Sequence, residues 1–318
     1  MTAAPPSSRT TGLTSTAPVV ECLGVPITAH TRESAARHIV HLAHRIRAAR
    51  HGDTGGPDAL GAPPGSDVHL SNAYTLALAD RDPELHGILR SASLNLPDGQ
   101  PVVWANQLLH RGVTLPSTRV YGPDLLLDVF ALSRHAELNH YLLGSTPQVL
   151  NALHRELRRR FPEAQIVGTC SPPFRPLTPQ DLRQQVEDIR SAAADIVWVG
   201  LGTPKQDRWV ADLRAALPVV AVAVGAAFDF IAGTKRQAPP WIQRNGLEWL
   251  FRLGSEPRRL WRRYVFGNAR FVRGVMRQAS RPLRTGGGAV HPAADRLNSG
   301  QLVGEVREIP GGVPRVRP

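Results

Sequence analysis

Apolar residues fall along this chain in two alternating kinds of run. Some are short and continuous, stopped by glycine or a polar turn; others are longer and spaced at helical intervals. The clearest instance lies between Asp195 and Gly233. Residues 196–199 are apolar throughout, too few for a helix, and followed by Gly200, as expected of a strand buried on both faces of a parallel sheet. Gly200 and Gly202 break the run, and Pro204 stands where a first helical turn favours proline. Residues 206–217 then place Trp209, Val210, Leu213 and Leu217 on one helical face. A second apolar run, 219–224, ends at Gly225. Strand, Gly-rich turn, helix and strand make one βαβ unit, and ligands of such sheets bind beyond the carboxyl ends of the strands. The segments 200–206 and 225–233 are therefore the first candidates for a site.

The same reading predicts a strand pair over 19–29 and a helix over 32–50 capped by Thr31. Short strands are expected at 68–70, 94–96, 141–143 and 164–168. Helices are expected at 74–79, 83–92, 102–111, 124–135, 147–160 and 179–191, then at 247–253, with a long basic helix at 257–278. This alternation argues for a doubly wound α/β domain. Residues 19–250 form that domain, with a flexible Gly/Pro-rich insertion at 51–66. A basic helical appendage follows at 251–284, between a disordered extension (1–18) and a disordered tail (285–318). Three strands end in polar turns: Ser71-Asn72, Asp98-Gly99 and 202–206. As parallel neighbours they would converge on one crevice.

Charge changes the picture at one end only. Of the net +12, ten arginines and one acid between Arg252 and Arg284 supply +9. Cys22 and Cys170 are too few for a disulfide framework, and no ligand-like spacing surrounds either. The first residues lack the apolar core of a secretory signal, and no apolar run could span a bilayer. A soluble or peripheral cytoplasmic protein is the expectation.

Asp98 is the best lone candidate for a general base. It sits at a strand end between Pro97 and Gly99, where a carboxylate can take a proton from a substrate hydroxyl. Asp-Gly is also a common turn dipeptide. Asn72 can orient a sugar or a carbonyl, or simply cap a helix. The turn carrying Gly200, Gly202, Lys205 and Gln206 can offer backbone N–H groups to a phosphate. The dinucleotide fingerprint fails there, because Lys205 replaces its third glycine. Asp80-Arg81-Asp82 has the form of a metal-binding pair, yet Asp82 is better explained as a helix cap. On the basic helix, Trp261, Val265, Val272 and Met276 share one face, which suits an anionic membrane surface. No motif supports nucleic acid as a partner.

Six blocks, in order, carry a resemblance: SNAYTLALADRDPELHGIL, LPDGQPVVWA, RVYGPDLL, VGLGTPKQDRW, VGAAFDFIAGTKRQAPPW and GLEWLFRLGSEPRRLWRRY. Over about residues 19–275 the chain resembles the WecG/TagA/CpsF family of bacterial glycosyltransferases. The resemblance implies a Rossmann-like, doubly wound, mostly parallel sheet with a C-terminal basic helical appendage. It implies inverting transfer of a sugar from a UDP-sugar to a polyprenyl-diphosphate-linked acceptor in cell-surface polysaccharide synthesis, without cofactor or required metal, at the inner face of the membrane. Asp98 then stands at the family's proposed base, Asn72 at its asparagine and Gln206 at the glutamine of its PKQE motif. Gly200, Gly202, Lys205, Gly225 and Asp229 fall on the donor side, with Asp229 the next candidate base, although Phe228 and Phe230 beside it suggest a structural carboxylate. Arg252, Arg259 and Arg262 match appendage arginines held to contact the diphosphate. Leu70, Asp207 and Ala226-Ala227 depart from the family's Thr, Glu and Gly. A homo-oligomer is left open, and the alternative to an enzyme is a non-catalytic nucleotide-sugar or dinucleotide-binding module.

Overall fold

The structure, a computed structural model, describes residues 17–52, 65–134 and 137–280, and of Arg259 the backbone alone. Nearly all of the expected N-terminal extension, most of the 51–66 insertion and the 285–318 tail lie outside the described residues. The hairpin β1 (Val19–Cys22) and β2 (Val25–Thr28) leads into α1 (Arg32–Arg50), whose cap is Thr31 as expected. Six strands then build one sheet: β3 (Ser66–Ser71), β4 (Leu94–Pro97), β5 (Asn139–Gly144), β6 (Gln165–Cys170), β7 (Ile196–Gly200) and β8 (Val220–Ala223). Their spatial order is β4-β3-β8-β7-β5-β6, and every pairing is parallel.

Helices cover both faces, because the strands are apolar on both. In β7 the side chains of Ile196 and Trp198 meet α1, α5 (Gly122–Ser133) and α6 (Pro147–Arg160) within one core cluster. Val197 and Val199 point the other way, toward α7 (Pro179–Ser191) and α8 (Lys205–Ala216). Each fully buried side chain of this size contributes about 1.5–3 kcal/mol. A third cluster lies under the hairpin. It joins α2 (Ala73–Ala79), α3 (Pro83–Ser91), α4 (Gln100–Leu109) and the long helix α12 (Pro257–Ala279). Between the sheet and α12 come three short helices: α9 (Ala227–Ile231), α10 (Pro240–Arg244) and α11 (Glu248–Ser255).

Four differences from the sequence reading matter for the site. β8 pairs with both β3 and β7, so the three polar turns are not all neighbours. They still converge, because every strand of this sheet points the same way. β3 begins at Ser66, earlier than its apolar residues suggest, because the buried Asp67 and His69 satisfy each other. α9 lies inside what reads as a loop. Finally, α12 buries a second apolar side, Leu260, Tyr264, Phe271 and Val275, that the sequence reading did not single out, while the face of Trp261, Val265, Val272 and Met276 stays exposed. The helix is apolar on two sides, and packing against α2 selects one of them.

Candidate active site

A cavity of about 730 Å³ opens at the carboxyl ends of the strands. Asp98 sits at its β4 side, held by ladder bonds that continue past the strand. Its N–H donates to the Ser71 carbonyl at 3.1 Å, while Val120 N–H donates to the Pro97 carbonyl at 2.8 Å. Asn72 does two jobs at once. Its Oδ1 caps α2, accepting from the N–H groups of Tyr74 and Thr75, both at 3.1 Å, and its side chain hydrogen-bonds Asp98. Gly99, at φ +94°, turns the chain away and leaves the carboxylate facing the cavity.

Burial pushes the Asp98 carboxyl up to about 6. The Arg119 charge opposes that rise, Glu248 adds to it, and the Asn72 bond and Arg252 oppose it. Arg119 lies 4.1 Å over the Tyr121 ring, pairs with Glu248 at 2.5 Å and donates to Gln243 Oε1 at 2.9 Å. The Tyr121 hydroxyl is buried without a hydrogen-bond partner among the described residues, and burial holds it above the usual phenol range. A carboxylate poised near neutrality, with cations beside it and an open cavity in front, has what proton abstraction from a hydroxyl requires.

The opposite wall is the β7–α8 turn. Gly200 allows this close packing, since a Cβ there would lie 2.6 Å from the Phe228 ring. Gln206 braces the turn: its Oε1 accepts from Gly202 N–H at 2.9 Å, and its amide lies against Gly225, which sits at φ +57°. Pro204 precedes α8 and does not fill its first turn, and Lys205 is the first helical residue and exposed. The N-terminus of α8, with the partial positive charge of its dipole, thus meets the cavity.

Asp207, next to Gln206, turns inward. Its Oδ1 lies 3.0 Å from His69 Nδ1, and His69 Nε2 lies 3.0 Å from Asp67 Oδ2. Although burial opposes a charge there, the two carboxylates push the imidazole up to about 9, so it is held as a cation. Arg214 completes the network on Asp67 at 2.8 Å.

Asp229, expected on the donor side, is not buried beside the core as its Phe neighbours suggest. It lines the cavity and lies 3.8 Å from Lys235, while only Phe228 enters the core. Arg252 lines the cavity over the Phe230 ring, at 5.6 Å. Arg262 does not line it: it is exposed and lies 5.3 Å over Trp261. Arg263 takes the inward position, 4.1 Å over the Tyr74 ring. Arg252 and Arg262 are not brought together, because α11 and α12 are separate helices, broken at Glu256 before Pro257. The Arg259 side chain lies outside the described residues. Asp82 caps α3 and pairs with Arg208 at 2.7 Å, and Asp80 lies 3.2 Å from Arg277.

Arg119, Tyr121, Glu248 and Arg263 escaped the sequence reading as site residues. Each falls within a block that carried the resemblance, but none sits at a strand end or in a Gly-rich turn.

Comparison with known proteins agrees with this geometry. A protein of Bacillus spizizenii, an N-acetylglucosaminyldiphosphoundecaprenol N-acetyl-beta-D-mannosaminyltransferase, is 29% identical over 212 residues, covering 65% of this chain and 79% of that protein. The sequence profile of the WecG/TagA/CpsF glycosyl transferases matches residues 20–285. A match over most of the length, on a six-stranded parallel sheet with the cavity at its carboxyl edge, places this chain in the WecG/TagA/CpsF family of glycosyltransferases.

Proposed function

We propose that the protein transfers a sugar, with inversion, from a UDP-sugar to a polyprenyl-diphosphate-linked glycan during cell-surface polysaccharide synthesis. The observation that carries the reading is Asp98, a carboxyl tuned to about 6 and aimed into the cavity between Asn72 and Arg119. Asp98 accepts the proton of the acceptor hydroxyl as that oxygen attacks the anomeric carbon. The bond from that carbon to the diphosphate breaks on the opposite face, and UDP leaves with the bonding electrons. A single displacement of this kind inverts the centre. The charge developing on the leaving diphosphate meets the α8 N-terminus, a dipole fixed before reaction begins, and the Lys205 ammonium at the first helical position. Asn72, Gln206, Gly225 and Asp229 shape the donor side in this reading, and Arg252 and Arg263 face the acceptor diphosphate, with Arg259 and Arg262 next to them in sequence. Because arginines and a helix end supply the electrostatics, no metal is assigned, and chelation should leave turnover unchanged.

The substrates in the relative's name, a GlcNAc-diphosphate lipid and N-acetylmannosamine, support a lipid-linked acceptor and N-acetylmannosamine as the first donor to try. No helix among the described residues is long and apolar enough to cross a membrane. The exposed apolar and basic side of α12 suits peripheral attachment to the anionic inner leaflet. Incubation with a panel of UDP-sugars and a short-chain polyprenyl-diphosphate glycan tests the proposal. Turnover with one donor is expected. UDP binding without turnover on any acceptor would favour a non-catalytic nucleotide-sugar module instead.

A further inference from the structure

Resting on that reading, the structure assigns a nucleobase platform to Phe174, in the connection between β6 and α7. The Phe174 ring is fully exposed yet borders the cavity. At the cavity the ring offers a flat apolar face on which a planar ring can stack. The segment bearing it is stiff. Pro172, Pro173 and Pro176 restrict its backbone. Ser171 Oγ donates to the Ser145 carbonyl at 2.8 Å, tying the segment to the end of β5. Arg175 grips Asp181 of α7 through two bonds, at 2.5 and 3.0 Å, and also donates to the Pro176 carbonyl at 3.1 Å. A ring presented from a braced segment loses little freedom when a base stacks on it.

Position along the sheet decides which ligand group meets the ring. Asp98 follows β4 and Phe174 follows β6, the two edge strands. Five strand spacings separate those edges, roughly 24 Å. The β7–α8 turn, where a diphosphate finds a helix N-terminus, lies between them. A nucleoside diphosphate sugar with its anomeric carbon toward Asp98 and its diphosphate at α8 therefore extends its base toward the β6 edge. The acceptor is excluded from that end, because Arg252 and Arg263 stand on α11 and α12, and α12 packs against α2 and α4 on the β3–β4 side. Uracil of the donor then stacks on Phe174.

Calorimetric titration with UDP and with inorganic pyrophosphate, on wild type, Phe174→Ala and Phe174→Trp, tests this. Phe174→Ala should weaken UDP about tenfold or more, as loss of a base–aromatic stack does. Pyrophosphate affinity and the acceptor KM should be unchanged, and Phe174→Trp should restore UDP affinity. Phe174 touches no core residue, so thermal melting of the Ala variant should match wild type. UDP affinity within twofold of wild type in Phe174→Ala would overturn the platform. So would a raised acceptor KM with UDP affinity intact. Wild type that binds no UDP would instead remove the donor reading, and the platform with it.

Discussion

Asp98 shows how one side chain acquires a working protonation state. Burial alone would keep the acid protonated further up the pH scale, and Arg119, Arg252 and the Asn72 hydrogen bond bring it back to about 6. Since a base works deprotonated, kcat/KM should rise with pH through an acid limb near 6. Arg119→Gln removes a cation that favours the carboxylate, so the limb should move to higher pH. Glu248→Gln removes an anion that disfavours it, so the limb should move to lower pH. Profiles of both variants that superpose on wild type would show that another group titrates. Asp98→Asn keeps the shape but accepts no proton. Turnover should fall by about 10²–10⁴-fold, with UDP affinity retained. Near-normal turnover would transfer the role to Asp229, which also lines the cavity.

At the scale of elements, the buried ion network ties β3 to α8. His69 on β3 lies between Asp67 of its own strand and Asp207 in the first turn of α8. The same two elements carry Asn72 and Gln206 into the cavity, so the network fixes one wall of the cavity relative to the other. Linkage gives the sign. The folded-state value of His69 is raised from 6.5 to about 9, so its stabilisation is full below pH 6.5 and is lost as pH rises through about 9. His69→Gln should therefore lower the melting temperature most at pH 6.5 and just below it, and flatten its alkaline decline. A decline of unchanged slope in the variant would assign the alkaline loss elsewhere. Breaking such a buried pair typically costs about 3–5 kcal/mol, so a large drop in melting temperature is expected. Asp207 thereby explains the acid of the PKQ-acid motif as a strut beneath the turn.

For the whole molecule, the basic end and the apolar surface coincide. Trp261, Val265, Phe266, Val272 and Met276 are exposed along α12, with Arg262, Arg273 and Arg277 exposed among them. Such a surface should bind vesicles containing anionic lipid, each arginine near the surface contributing about 1 kcal/mol, and weaken as salt rises. Trp261→Ala with Phe266→Ala should abolish sedimentation with those vesicles while sparing turnover on a short, water-soluble acceptor. Arg252→Ala should do the reverse, lowering soluble-acceptor turnover and leaving vesicle binding intact. Equal loss of soluble turnover in both would make α11 and α12 one catalytic unit.

Much of this architecture was legible in the sequence. The buried run 196–199, the glycines after it and the helix behind them define a βαβ unit by local rules, because a parallel strand must be apolar on both faces. Asn72, Asp98 and Gln206 could be singled out because strand ends and Gly-rich turns are where such folds carry their ligands. Caps such as Thr31 and Asp82 were equally local, each being a side chain that accepts from an N–H three residues on. Tertiary structure alone decided what depends on contacts distant in sequence. It set β8 between β3 and β7, and it brought Arg119 and Glu248 beside Asp98. It turned Asp207 inward onto His69. It also chose which of two apolar faces α12 buries and replaced Arg262 by Arg263 at the cavity. Helical periodicity records that a face is apolar, but only the partner helix determines which face leaves water.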